Sequence, residues 1–370
     1  MKYKYYSPER IDKENATYNI IFGERSNGKT TSILKKIIRN YVETGKQGAI
    51  LRRWYDDFKG KAGQQMFDGI VRLGYIEEIT NGLWNSVYYY SMRWYLARDI
   101  ETDEGERKFE KNDEPFAFGF ALTRMEHDKS TAYPNVTTIM FDEFITRGYY
   151  IPDEFITYMN VISTIVRQRD DVKIYMLGNT VNYYCPYFDE MGLKHMDQMK
   201  PGDIDVYSYG DSTLKVAVEY STGISESGKK KSDKYFAFDN PKLHMITSGA
   251  WELDMYQHLP ERYNEREVVA RYFIEFNDTI VQADVIRKPT YAFTYIHKKT
   301  TPLKNPETDL VYSTNYNARS NWRRNILRCS DRVNRRLYAF FVNDQVYYQN
   351  NVVGELVRNY LLWCKHNNIK

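Results

Sequence analysis

The chain has 370 residues and 44.1 kDa, a length that favours two cores over one, and its formal charge of +3 with a pI near 8.4 is too mild to argue for a polyanionic partner. Three cysteines, Cys185, Cys329 and Cys364, stand far apart with no C-x-x-C pair, which argues against a disulfide framework and a cysteine zinc site. No apolar run approaches the length of a bilayer span and Met1 to Tyr6 lacks a signal-peptide core, so a soluble, intracellular protein with no membrane partner is expected.

Tyr18 to Phe22 reads as a buried strand, and Thr31 to Val42 reads as a helix with Ile33, Leu34, Ile37, Ile38, Tyr41 and Val42 at helical spacing. Between them Gly23, Glu24, Arg25, Ser26, Asn27, Gly28, Lys29 and Thr30 spell the phosphate-binding pattern G-x-x-x-x-G-K-[ST] with every fixed position filled. The glycines let loop amides and the positive end of the following helix face anionic oxygens. Lys29 would add a charge at the β- and γ-phosphates, Thr30 a hydroxyl at Mg²⁺, and Thr31 completes the binding set.

Gly48 to Arg53 is a second strand, followed by an aromatic-rich stretch from Leu83 to Phe120 whose acidic part, Asp99 to Glu114, reads as an exposed hairpin or insertion without chemistry. Val136 to Phe141 is a β-rich run ending in Asp142 and Glu143, the form of a Walker B strand. Asp142 would hold Mg²⁺, and Glu143 would orient or deprotonate the attacking water; a capping or solvated acid pair is the alternative. A helix from Pro152 to Arg169 ends in Arg167 and Arg169, which are either dipole partners or a finger reaching a neighbouring subunit's nucleotide, Arg167 being favoured. The strand Val172 to Leu177 then leads to Gly178 and Asn179, where the amide is placed as a γ-phosphate sensor or as a turn residue. Strands and helices in alternation predict an α/β fold with a mostly parallel sheet.

Past Pro186 the rhythm changes, and Ser221 to Ser232, with Lys229, Lys230 and Lys231, reads as a connector or exposed loop and a second basic contact. The expected division is 1–205 for the nucleotide-binding domain, 206–245 for a linker or lid, and 246–370 for a smaller α+β domain. In the last, Val269 to Phe276, Thr279 to Ile286 and Thr290 to Ile296 form a meander, with helices near Asn321 to Phe341 and Val352 to Lys365. Arg319, Arg323, Arg324, Arg328, Arg332, Arg335 and Arg336 face the single acid Asp331, on a predicted helix whose other side carries Trp322, Ile326, Val333 and Leu337. Such a stripe neutralises backbone phosphates irrespective of sequence; a solvated face is the alternative. Glu275, Asp278 and Asp284 are scattered acids with no metal-binding spacing, which predicts a domain that binds without cutting.

The chain resembles the DNA packaging ATPases (encapsidation proteins) of phi29-like tailed phages. The resemblance rests on Ile21-Phe22-Gly23 with Asn27-Gly28-Lys29, on Leu51-Arg52-Arg53, and on Ala132-Tyr133-Pro134-Asn135-Val136 running into Phe141-Asp142-Glu143-Phe144-Ile145. Lys129-Ser130, Tyr150-Ile151-Pro152, Arg167, Arg169 and Asn179 followed by Pro186-Tyr187-Phe188 extend it. It implies a P-loop ATPase domain of the additional-strand, catalytic-glutamate type and a C-terminal RNase H-like domain without nuclease activity. It also implies ATP and Mg²⁺ as cofactors and an ATP-driven ring, a pentamer, that moves double-stranded DNA into a preformed capsid. The first arginine of the pair, Arg167, takes the trans finger role. Partners implied are the capsid portal and further copies of the chain, with a structural RNA as an additional candidate; the place is the host cytoplasm, at the portal vertex. One departure stands out: Trp54-Tyr55-Asp56 follows Arg52-Arg53 where a relative has a basic residue, so Arg52 or Arg53 is the candidate substitute. A terminase with a working nuclease, and a non-motor P-loop NTPase or small-molecule kinase, are the competing classes.

Overall fold

The computed structural model describes residues 5–101, 107–127, 131–148, 150–151, 153–180, 185–196, 198–222, 256–259, 261–276, 279–328 and 331–367. The chain divides into two units, Met1–Trp251 and Glu252–Lys370.

Ten strands build the sheet of the first unit: β1 (Tyr18–Gly23), β2 (Gln47–Arg52), β3 (Ser86–Tyr90), β4 (Arg93–Glu101), β5 (Arg107–Lys111), β6 (Ala117–Ala121), β7 (Val136–Asp142), β8 (Lys173–Asn179), β9 (Ile204–Ser208) and β10 (Lys215–Ser221). Their order is β3-β4-β6-β2-β7-β8-β1-β10-β9, with β5 paired to β4. From β6 to β10 every neighbour is parallel, and β8 lies between β1 and β7. All six residues of β1 are buried, as a strand covered on both faces requires. On one face the helix Lys29–Thr44 buries Ile33, Leu34, Ile37 and Ile38, and it stops at Gly45, whose φ of 71° suits a left-handed cap. Gly48 lets that helix approach: a Cβ there would lie 2.4 Å from Ile37 Cγ2. On the other face the helix Glu154–Val166 contributes Tyr158, Val161, Ile162 and Ile165 to a core with Phe22, Phe141, Phe144, Tyr187 and Phe188.

The aromatic stretch forms antiparallel strands β3, β4 and β5 at one edge, as the hairpin expectation has it. The start of the expected 206–245 linker needs correction, because β9 and β10 are strands of this sheet, and β10 pairs in parallel with β1 over Tyr18↔Val216 to Gly23↔Ser221; from residue 223 on, that segment lies outside the described residues. Val216, Ala217 and Val218 are fully buried, a reason for pairing that the polar stretch just after them obscures. Lys229, Lys230 and Lys231 lie outside the described residues.

The second unit holds β11 (Val268–Phe276), β12 (Thr279–Arg287), β13 (Ala292–Lys298), β14 (Val311–Ser313), β15 (Trp322–Arg323) and β16 (Val346–Tyr348), in the order β15-β14-β11-β12-β13-β16. The first three form the expected antiparallel meander, while β14, β15 and β16 add in parallel. The helix Asn351–His366 packs on this sheet through an inner face that includes Val353, Leu356, Val357 and Tyr360.

The helix expected from Asn321 to Phe341 is shorter, Arg332–Val342. Trp322 and Arg323 pair with Val311 and Tyr312 instead. Asp331 accepts the Asn334 N–H at 2.9 Å and starts the helix, while the buried Asn325 donates to the Cys364 and Asn367 carbonyls at 2.8 and 2.9 Å. Local polar capping and a buried amide therefore break a segment whose periodicity alone suggested continuity.

Candidate nucleotide site and basic surface

The loop Gly23–Gly28 leaves the end of β1, and Gly28, with φ of 97°, is the N-cap of the helix Lys29–Thr44. The helix N-terminus thus faces a cavity of about 940 Å³ lined by Arg25 to Ser32, Arg52, Asp142, Glu143, Asn179 and further residues. That volume is at the upper end for a small-molecule site, on the order of 300–1,000 Å³. The loop residues Gly23 and Glu24 do not line the cavity; their carbonyls accept from the Lys29 ammonium, at 3.4 and 2.7 Å. Lys29 also reaches Asn27 Oδ1 at 3.2 Å and Asn179 Oδ1 at 3.4 Å. Burial pushes its pKa down to about 8, against the attraction of Asp142 and Glu24.

Asp142, buried at the end of β7, accepts from Thr30 Oγ1 at 3.1 Å. Burial raises its carboxyl pKa; Arg52 opposes that rise and Glu143 adds to it. Glu143 has a left-handed backbone, φ 60°, and a side chain exposed to the cavity. Thr30 and Asp142, both oxygen donors at hydrogen-bond distance, make the kind of set that suits Mg²⁺.

Arg52, the last residue of β2, and Arg53, just past it, have separate tasks. Arg52 reaches Asp142 at 2.7 Å and Glu143 at 2.8 Å and lines the cavity. Arg53 is buried and grips Glu154 with Nε and Nη2, each at 2.8 Å, and its guanidinium also donates to the carbonyls of Glu143 and Phe144. Tyr187 donates to the same carboxylate at 2.8 Å, and the Arg53 guanidinium lies 5.0 Å from the Tyr150 ring centre. Arg53 therefore fixes the turn after the acid pair, while Arg52 engages the acids themselves. No basic residue stands at Trp54 to Asp56, so the charge at this corner comes from the strand end.

Arg167 sits just past the helix Glu154–Val166, which is shorter than the Pro152 to Arg169 expectation. Its backbone, φ 52° and ψ −121°, is a conformation that non-glycine residues avoid, and its exposed side chain donates to the Thr131 carbonyl at 3.2 Å. Arg167 does not line the cavity. Arg169 is tied to the Pro134, Tyr133 and Ile165 carbonyls and to Asp171. Of the two, Arg167 is the one presented outward.

In the second unit, Arg332, Arg335 and Arg336 are exposed on the short helix and Arg328 precedes it. Arg319 is paired with Glu307 and Arg323 with Asp331, and Arg324 donates twice to the Thr314 carbonyl. Val333, expected to be buried, is 55% exposed, so the continuous basic stripe resolves into one cluster of three and several locally engaged arginines. Glu275 accepts from Ser313, and Asp284 from Arg271, Gln282 and Tyr263. Among the described residues no group of three or more His, Cys, Asp or Glu side chains converges as a metal site, and no helix is long and apolar enough to cross a membrane. Asp278 lies outside those residues.

Sequence reasoning missed Tyr6, whose N–H donates to the Asn27 carbonyl and whose hydroxyl donates to Glu219 at 2.6 Å, and Tyr5, which packs beside Gly28. It also missed Ser221, which accepts from Asn27. None of these carries a motif; Tyr5 and Tyr6 reach the loop from the segment before the first strand, and Ser221 through the pairing of β10 with β1.

A strand, a glycine-bearing loop and a helix facing an Asp-Glu pair across a parallel sheet define an α/β protein of the phosphate-loop class. A model of the Podovirus DNA encapsidation protein (Gp16) family matches residues 61–200. The chain is 26% identical over 187 residues to the DNA packaging protein of Bacillus phage phi29, covering 50% of this chain and 49% of that protein. With the DNA packaging protein of Bacillus phage B103 it shares 28% identity over 181 residues, 47% of this chain and 48% of the relative. It thus spans about half the length of the curated relatives it matches. Among solved structures, the Phi-28 gp11 DNA packaging motor aligns over 100% of both chains with a TM-score of 0.57 and 17% identity. The bacteriophage Phi-29 viral genome packaging motor assembly aligns over 96% of this chain and 99% of that one, with a TM-score of 0.57 and 20% identity. These similarities bear out the resemblance to phi29-type packaging proteins, and the structural matches show a shared fold.

Proposed function

We propose that the chain is an ATPase subunit of a motor that drives double-stranded viral DNA into a preformed capsid. The observation that carries this reading is the convergence of Lys29, Thr30, Asp142, Glu143 and Asn179 on one cavity at the end of a parallel sheet. The position of β8 between β1 and β7 supports an additional-strand, catalytic-glutamate site.

In that site the loop amides and Lys29 bind the β- and γ-phosphates, while Thr30 and Asp142 hold Mg²⁺, which supplies charge neutralisation at the phosphates. Glu143 takes the proton of the attacking water, and Asn179 orients the γ-phosphate or the water. Arg167, exposed and outside its own cavity, suits a finger that completes a neighbouring subunit's site in a ring. The printed descriptions of the relatives as packaging proteins and motors support DNA and the portal vertex as the setting. In the second unit, the order β13-β12-β11-β14-β15, an antiparallel meander extended by parallel strands on the β11 side, supports an RNase H-like domain. Its acids Glu275 and Asp284 are engaged by neighbours, which favours gripping DNA over cutting it.

The test is ATP turnover with and without long duplex DNA. DNA-stimulated hydrolysis supports the motor, whereas turnover indifferent to DNA points to a small-molecule kinase or switch. Glu143→Gln is expected to bind ATP and not hydrolyse it. Doping Arg167→Ala subunits into wild-type rings is expected to depress activity beyond dilution, and a linear loss would place Arg167 within its own subunit.

A further inference from the structure

We propose that Ser221 is a positioning residue for the phosphate loop, acting through Asn27 on Lys29. The proposal rests on the ATP-site reading above and adds to it a strand that no motif marks.

Ser221 ends β10, and its register partner is Gly23, the first residue of the loop. A Cβ on Gly23 would lie 2.4 Å from Ser221 Oγ, so only glycine permits this contact between strand end and loop. Ser221 Oγ donates to the Phe22 carbonyl at 3.0 Å and accepts from Asn27 Nδ2 at 2.9 Å. Both side chains are buried, Ser221 being 1% and Asn27 2% exposed.

These bonds decide which way the Asn27 amide points. Nδ2 lies against Ser221 Oγ and, at 3.4 Å, the Thr222 carbonyl, which leaves Oδ1 toward the Lys29 N–H at 3.4 Å and its ammonium at 3.2 Å. The flipped amide would set an oxygen against the Thr222 carbonyl and an NH₂ group against the ammonium, repulsive on both sides. Ser221, with its hydroxyl proton spent on Phe22, thus presents a lone pair that holds Asn27 in the orientation Lys29 needs. The Tyr6 N–H fixes the same residue from the other side, at 2.9 Å on the Asn27 carbonyl. The x position before the second glycine is therefore a built part of this loop and not a spacer.

The experiment uses the full chain, with ATP turnover, fluorescent-nucleotide binding and thermal melting measured in parallel. Ser221→Ala is expected to lower turnover about tenfold while melting within a few degrees of wild type, the effect of losing one buried, geometry-setting hydrogen bond. Asn27→Asp keeps the size and the contact to Lys29 but cannot donate to Ser221, and is expected to fall similarly. In the Ser221→Ala/Asn27→Ala pair the double variant should be no slower than Asn27→Ala alone, because the two act in series. Wild-type turnover in Ser221→Ala or Asn27→Asp, or losses that multiply in the double variant, would overturn the proposal. Failure of the ATP-site reading looks different: the wild-type chain itself would neither bind nor hydrolyse ATP.

Discussion

Arg52 holds both members of the acid pair at once, with Nη2 2.7 Å from Asp142 and Nη1 2.8 Å from Glu143. Two carboxylates next to each other in sequence repel, and Asp142 is buried; burial raises its carboxyl pKa and the Arg52 guanidinium opposes that rise. Replacing Arg52 by alanine should raise the Asp142 pKa further and leave Glu143 without its anchor. Turnover is then expected to drop by about 100-fold, in the range seen when a positioned catalytic group is removed, with fluorescent-ATP affinity changed far less. Equal losses in both measurements would instead assign Arg52 to ground-state binding.

Lys29 predicts a pH dependence. Burial lowers its pKa to about 8, below the ordinary lysine value, so the free protein loses this charge as pH rises through about 8. A bound triphosphate favours the charged form. Nucleotide affinity should therefore weaken between about pH 7 and about pH 9, and binding near pH 8 should take up protons. Calorimetry in two buffers of different ionisation enthalpy measures the uptake. The sign for stability is opposite: the unfolded chain holds this proton to higher pH, so the ligand-free fold gains stability as pH rises through 8.

Arg53 and Glu154 predict a stability loss instead of a catalytic one. Their buried pair, with Tyr187 on the same carboxylate, supports the turn that carries Glu143 and Phe144. Arg53→Leu leaves Glu154 buried without its charge partner and should cost about 3–5 kcal/mol, read from urea unfolding. An unchanged midpoint would mean the pair is dispensable.

Asp284 gives the second unit its own acid sensitivity. Burial alone would raise its pKa, but hydrogen bonds from His297, Arg271, Gln282 and Tyr263 outweigh it and hold the carboxyl well below the usual range. A depressed pKa stabilises the fold above the unfolded carboxylate value and is lost as pH falls through the folded one. Asp284→Asn should therefore flatten the acid limb of that unit's stability curve, followed by tyrosine fluorescence; an acid limb as steep as wild type would remove Asp284 as its source.

For the basic cluster, alanine at Arg332, Arg335 and Arg336 together should lower the slope of log affinity against log salt for duplex DNA by about 2 to 3, close to 0.9 for each backbone phosphate that an arginine no longer neutralises. A parallel line with the wild-type slope would indicate a merely solvated face.

Which features could be read from residues alone follows from the range of the forces involved. The phosphate loop, the strand before it, the helix after it and the acid pair at the end of β7 are set by short-range constraints: glycines at two backbone positions, a run of buried β-branched residues, an apolar stripe at 3.6-residue spacing. The antiparallel meander of the second unit shows in the same way. Where the reading failed, distant contacts had taken over. Periodicity suggested one long arginine-bearing helix, but Asp331 caps a new start and Asn325 spends its amide on carbonyls some 40 positions further on, at Cys364 and Asn367.

The sequence by itself determined the chemistry on offer, because a phosphate cradle and its acids are encoded in two short runs whose geometry is local. Only the tertiary structure decided how that chemistry is held. Arg52 meets Glu143 because β2 and β7 pair side by side, and Ser221 meets Asn27 because β10 pairs with β1 across almost 200 residues. Such partners leave no pattern in the chain, since their spacing is fixed by sheet order and not by residue count.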